Sequence, residues 1–210
     1  MQNSNSPHIQ TSYSIQAGFG TNAAYESLKN AVSAWHSPTA EHSIRVRIQA
    51  TYLGMALGLT GKELTLLSYG AELHDIGKIR IPLSVLDKTG HLTPFDIASI
   101  ESHPTYGAEM ASRAFVTNSD VIACILQHHE REDGSGYPNG LTGHHINPLA
   151  KIVAVADTYA ALREDRPYGE KMTDAEALMV LLDDDRGRFD PSVVRMLAHV
   201  VMHSRVSGGD

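Results

Sequence analysis

Apolar residues recur at spacings of three and four along most of this chain, and polar residues break the pattern at a few places. Val46, Ala50, Leu53 and Leu57 form one stripe, with His42 at its head. Leu67 and Ala71 lead into His74; Val121, Cys124 and Ile125 lead into His128, and Ile122 and Ile125 into His129. In "PLAKIVAVADTYAAL" Asp157 shares the side of Ala150, Val153 and Ala154. Helix starts are marked by Ser37-Pro38, Thr93-Pro94 and Asp190-Pro191, and by capping boxes at Thr60/Glu63 and Thr173/Glu176. No segment alternates with a period of two, and there is no internal repeat. The pattern predicts an all-α fold, a single helical bundle of about seven or eight helices. It occupies residues 21–205, after an aperiodic polar lead-in (1–20) expected to be flexible and before a short tail (206–210).

Composition narrows the picture. At 210 residues, 42% of them hydrophobic, one domain with a sizeable core is expected. No apolar run reaches the ~18 residues that span a bilayer, and the first twenty residues lack a signal-peptide pattern. The single cysteine, Cys124, leaves no internal disulfide and fits a reducing cytoplasm. A net charge of −7 argues against a nucleic-acid polymer as partner. Twelve histidines are more than packing requires, which points to metal.

Taken singly, each polar interruption has a plain explanation as a hydrogen-bonded core histidine or a capping acid. As a set, they would cost several kcal/mol to bury without compensation. Divalent cations remove that cost, because neutral imidazole and ionised carboxylate are their ligands.

Two longer motifs carry a resemblance. "ELHDIGKIRIP" (72–82) and "HHEREDGSGYP" (128–138), in this order with "HSIRV" at His42, "SHPTYG" at His103, "KIVAVADTY" at Asp157 and "RPYG" at Arg166, resemble the HD-GYP family. That family is a branch of the HD phosphohydrolases that cleaves cyclic di-GMP, and the likeness runs over roughly residues 40–205. The resemblance implies a dinuclear centre in the bundle core. His42, His74, Asp75 and Asp157 hold one ion; Asp75, His103, His128 and His129 hold the other, with Asp75 bridging. Iron is the family's frequent metal and manganese the alternative; an imidazole-rich, thiolate-free set suits both. A third metal in some members uses a glutamate four residues before the first histidine, where this chain has Pro38, so two ions are expected. Two departures stand out. Ala160 replaces the second acid of "DxxDAL", and Gly169 stands where relatives often carry a basic residue.

The implied reaction is attack of a metal-bridging hydroxide on the 3′–5′ diester, giving linear pGpG and slower cleavage to GMP. Lys78, four residues after His74, is expected to face the same cavity and to neutralise a phosphate oxygen or assist the leaving group. Gly136, Tyr137 and Pro138 are expected to shape the substrate rim, the glycines allowing close main-chain approach. The resemblance also implies a GGDEF-domain partner at this loop. Glu130 and Asp133 read as loop-ordering groups. Two other readings keep the motifs: a different cyclic dinucleotide or nucleotide as substrate, and a metal-stabilised, non-catalytic partner-binding module. Arg166 is the candidate for holding a substrate phosphate. Arg166→Ala is expected to raise KM for cyclic di-GMP by roughly ten- to 150-fold, the loss of one charge-assisted pair, with metal content unchanged. Wild-type steady-state kinetics in this variant would remove the residue from the site.

Overall fold

A computed structural model describes residues 20–164, 171–184 and 187–204, and the statements below concern those residues. They form ten α-helices: α1 Gly20–Trp35, α2 Ser37–Ala56, α3 Gly61–Leu73, α4 Leu83–Leu86, α5 Pro94–Glu101, α6 His103–Arg113, α7 Ser119–Gln127, α8 Pro148–Leu162, α9 Asp174–Leu182 and α10 Pro191–Ser204. Two 3-10 turns, Ile76–Arg80 and Gly143–His145, complete the order, and the only β pairing described is an isolated bridge between Asp133 and Thr142. The all-α expectation holds, with more helices than the pattern suggested. Leu83–Leu86 is too short to show a hydrophobic period, and a break at Ser102 separates α5 from α6.

Local chemistry sets the helix starts. The backbone N–H of Thr93 donates to Asp96 (2.8 Å), and that of Asp96 donates back to Thr93 Oγ1 (3.2 Å). Thr60 with Glu63 and Thr173 with Glu176 form the expected boxes. The start of α2 differs from expectation. Ser37 is already helical, and His36 is the cap, its Nδ1 accepting from the Thr39 N–H at 3.3 Å. An imidazole nitrogen replaces the usual hydroxyl there, so a Ser-Pro signal misplaces the boundary by one residue.

Helix α8 runs through the middle. Ten of its fifteen residues are buried, including Ile152, Val153, Val155 and Ala156, as expected of a helix apolar on nearly all sides. Val46, Ala50 and Leu53 of α2, Leu67 and Ala71 of α3, and Leu178, Leu181 and Leu197 pack against it. A second cluster joins Tyr25, Leu28 and Val32 of α1 to Leu73, Ile76, Val121 and Ile125. Between the clusters lie His74, Asp75, His103 and His128, all with at most 2% of their surface exposed.

After α3 the chain tightens into the 3-10 turn Ile76–Arg80, and Gly77 of that turn presses against the start of α6. A Cβ at Gly77 would stand 1.9 Å from the carbonyl oxygen of His103, so only glycine lets the two segments approach. Gly77→Ala is expected to destabilise the fold by about 3 kcal/mol, at the upper end of overpacking effects, as measured by urea unfolding. An unchanged midpoint would show that α6 can move without cost.

Candidate metal centre

Three helix ends build the core of the site. His74 lies one residue beyond α3, His103 two beyond α5 and His128 one beyond α7. Each ring folds back so that Nδ1 meets the carbonyl oxygen three residues earlier. The distances are 2.7 Å for His74 to Ala71, 2.6 Å for His103 to Ile100 and 2.9 Å for His128 to Ile125. A carbonyl can only accept, so Nδ1 carries the proton and the neutral ring turns its Nε2 lone pair inward. The same bonds satisfy carbonyls that the last turn of a helix leaves open.

The lone pairs converge. The Nε2 atoms of His103 and His128 are 3.1 Å apart, two acceptors facing one another. The Nε2 of His74 and Oδ1 of Asp75 are buried without a hydrogen-bond partner. His103, His128 and His129 form one group whose donor atoms lie within 4.8 Å; His42, His74 and Asp75 form another. Asp75 stands between them, with Oδ2 3.4 Å from His74 Nε2 and Oδ1 3.3 Å from His103 Nε2. Asp157 joins the first group, its Oδ1 2.9 Å from His42 Nε2 and 3.7 Å from His74 Nε2. Facing lone pairs and orphaned buried acceptors are what a cation between them relieves, so the residues fit divalent metal.

The electrostatics agree. Burial pushes the His103 imidazole down to about 4 and that of His129 to about 3, and holds His128 well below its ordinary range. These rings are therefore neutral near pH 7, the form in which an imidazole can take a cation. Burial works to raise the Asp75 pKa, but Lys78 and His74 hold it well below the usual carboxylate range. Burial would also lower His42, yet its bonds to the Asp157 and Glu164 carboxylates carry it up to about 10, so this ring, unlike the other three, is protonated near pH 7 until a cation displaces a proton. Helices α3, α5 and α7 add the negative ends of their dipoles, which favour a cation.

A cavity of about 380 Å³ opens on the first group, lined by His36, His42, Asp75, Lys78, His129, Asp157 and Glu164 among others. Lys78 reaches it for a different reason than its spacing from His74 suggested. The helix has ended at Leu73, and the 3-10 turn brings Lys78 Nζ to 2.6 Å from Asp75 Oδ2. Burial would lower the Lys78 pKa, but Asp75 beside it raises it, so the ammonium is kept charged.

Residues 26–193 match the HD domain family. The chain belongs to that family. Within it, the chain is similar to the cyclic di-GMP phosphodiesterase response regulator RpfG of Xanthomonas campestris pv. campestris, with 46% identity over 145 residues, 67% of this chain and 38% of that protein. It is 36% identical over 171 residues to 3′3′-cGAMP-specific phosphodiesterase 2 of Vibrio cholerae, covering 81% of this chain and 33% of the relative. Among solved structures, Bd1817, an HDG"Y"P protein from Bdellovibrio bacteriovorus, superposes with a TM-score of 0.65 at 27% identity, over 86% of this chain and 61% of that one. The matched stretch thus spans about a third of the length of these curated relatives.

In the HD-domain frame, His74 and Asp75 are the namesake pair, and the structure brings all seven expected ligand residues together across α2, α3, α5–α6, α7 and α8. Arg166 and Gly169 lie outside the described residues. The loop after His129 folds back on the site. The Tyr137 ring stacks on His129 at 4.7 Å, its N–H donates to the His129 carbonyl (3.2 Å), and a Cβ on Gly136 would meet that oxygen at 2.4 Å. Tyr137 thus meets the cluster from the His129 side, and exposed Pro138 follows through a cis peptide bond. The loop's order comes from Glu130, 2% exposed, whose two oxygens accept the N–H groups of Asn139 (2.8 Å) and Leu141 (2.9 Å). Asp133 accepts from Ser135 in the same loop. Sequence reasoning missed Glu164, which bonds His42, and His36 on the cavity rim. Glu164 stands seven residues after Asp157 but two beyond the end of α8, so helical spacing from Asp157 does not place it.

Glu130→Ala removes a charged acceptor from two amides at once. Hydrogen exchange at Asn139 and Leu141 is expected to accelerate by roughly ten- to 150-fold, matching about 1.5–3 kcal/mol per bond. Unaltered exchange at both amides would show that the loop is held by other contacts.

Proposed function

We propose that this HD domain is a metal-dependent phosphodiesterase that hydrolyses cyclic di-GMP to linear pGpG, with slower cleavage to GMP. The observation that carries the reading is the pair of imidazole lone pairs facing each other at 3.1 Å beside the partnerless Asp75 oxygen, in a chain similar to named cyclic-dinucleotide phosphodiesterases. His42, His74, Asp75 and Asp157 would hold one divalent ion, and Asp75, His103, His128 and His129 a second. Iron, the metal that the HD-GYP resemblance implies, is the preferred identity and manganese the alternative; the imidazole-rich donor set suits both. Such ions, when bound, activate water at neutral pH and neutralise charge on the phosphoryl oxygens.

The chain's own groups do the rest. Asp75, ionised and reached from both sides, supplies the negative charge that two neighbouring cations need between them. Lys78, kept protonated at the cavity wall, is set to neutralise a phosphate oxygen and to donate its proton to the departing 3′-oxygen. Water adds to phosphorus as the P–O3′ bond breaks, leaving a 5′-phosphate and a 3′-hydroxyl. Arg166 is assigned to the second phosphate, and Gly136, Tyr137 and Pro138 to the substrate rim. The outer face of that loop is assigned to a GGDEF-domain partner. No helix among the described residues is long and apolar enough to cross a membrane, and we assign the chain to the cytoplasm on its buried free thiol, Cys124. The 3′3′-cGAMP-specific relative, which matches 81% of this chain, favours 3′3′-cGAMP as the second candidate substrate.

Protein loaded with iron or manganese under anaerobic conditions, incubated in parallel with cyclic di-GMP and 3′3′-cGAMP and followed by chromatography, tests the reading. Release of pGpG as the faster reaction is expected; faster turnover of 3′3′-cGAMP would reassign the substrate, and turnover of neither would leave a binding module. About two ions per chain are expected in the wild type. Asp75→Ala is expected to abolish turnover and to deplete both ions. Unchanged stoichiometry in that variant would exclude a shared carboxylate.

A further inference from the structure

We propose that Glu164 is a positioning residue that orients His42 toward the first cation. The inference rests on the metal reading above and concerns how one of its ligands is held. His74, His103 and His128 sit past helix ends, where open carbonyls take their Nδ1 protons. His42 does not use that device. It lies inside α2, and its Nδ1 meets a side chain from another part of the chain in place of a main-chain carbonyl. Glu164 supplies the contact: its Oε1 lies 2.8 Å from His42 Nδ1. The same oxygen accepts from Arg45 Nε at 2.8 Å, and Arg45 stands one turn beyond His42 on α2. Glu164 is therefore held by one α2 side chain while it holds another.

Its place on the far side is equally defined. Asp157 and Ala161 of α8 and Glu164, two residues past its end, all line the 380 Å³ cavity, so the acid that meets His42 Nε2 and the acid that meets Nδ1 come from one short stretch of chain. A cation that displaces the Nε2 proton leaves the Nδ1 proton on the ring, where it is donated to the Glu164 carboxylate. The arrangement is then carboxylate, imidazole, cation, in which the carboxylate fixes the ring and raises its donor strength. His42 is in this respect the odd member of the cluster, tied to a charged side chain where three others are tied to neutral carbonyls.

The test uses zinc, a diamagnetic probe, with wild-type, Glu164→Ala and Glu164→Gln proteins. Zinc affinity is measured by competition with a chelator, and the histidine Nδ1–H resonances of the loaded protein by NMR. Glu164→Ala is expected to weaken zinc binding by roughly ten- to 100-fold, the range for loss of such an outer carboxylate. The downfield Nδ1–H signal of His42 should vanish into exchange with water, while those of His74, His103 and His128 persist. Glu164→Gln, which keeps an acceptor oxygen without its charge, should retain the signal and fall between the two in affinity. A Glu164→Ala protein with wild-type affinity and an unchanged His42 signal overturns the proposal. Equal loss of all four signals overturns it as well, since the residue would then support the whole fold rather than one ring. Wild-type protein that takes up no zinc overturns the metal reading itself, and this inference with it.

Discussion

The bond from an imidazole Nδ1–H to the carbonyl three residues behind it is the contact on which the site depends. Repeated at His74, His103 and His128, it fixes the tautomer of each ring before any ligand arrives. It also dictates architecture, because a histidine can use it only where a helix stops. Helices α3, α5 and α7 must therefore end at the same place. The inward lone pairs and the converging helix C-termini make that place negative, and a buried negative pocket is tolerable in a folded protein only as a seat for cations.

The remaining elements serve that convergence. Helix α8 can lie at the centre because it is apolar on almost every side, and it then delivers Asp157 to the edge of the cluster with no loop between core and ligand. The 3-10 turn after α3 changes the register, so that Asp75 points between the two histidine groups while Lys78 returns to it. Glu130 performs the same kind of work in the loop after His129. A buried carboxylate collects backbone amides that would otherwise be open, and the loop closes against the His129 ring.

Much of this was legible in the sequence, for identifiable reasons. The stripes that begin at His42 and end in His74 and His128 are readable because helical periodicity determines facing, and the buried neighbours Val46, Ala50, Leu67, Ala71, Cys124 and Ile125 bear them out. Thr60 and Thr173 cap as their spacing indicated. His103 was different: no stripe leads to it, and only the resemblance carried by "SHPTYG" singled it out. Lys78 was assigned to the right cavity through a helical turn that does not exist, since periodicity says nothing about a switch to a 3-10 turn. Ala160 stands out as a missing acid, whereas nothing in the sequence singles out Glu164, four residues further on. It lies beyond the end of α8, and its partners His42 and Arg45 are more than a hundred residues away, a distance over which a single sequence carries no pairing signal.

The same separation governs how the cluster is assembled. His42 and Asp157 meet at 2.9 Å although 115 positions divide them in the chain. As the polypeptide leaves the ribosome, α2, α3 and α7 can pack well before α8 exists, and the partly built pocket then has neither its fourth wall nor the Asp157 carboxylate. The first group, with His42 and His74, is complete only after residue 157 has been synthesised, whereas the residues of the second are all present by residue 129. The two halves of the cluster are thus completed at different points of synthesis, the half that contains Asp157 last.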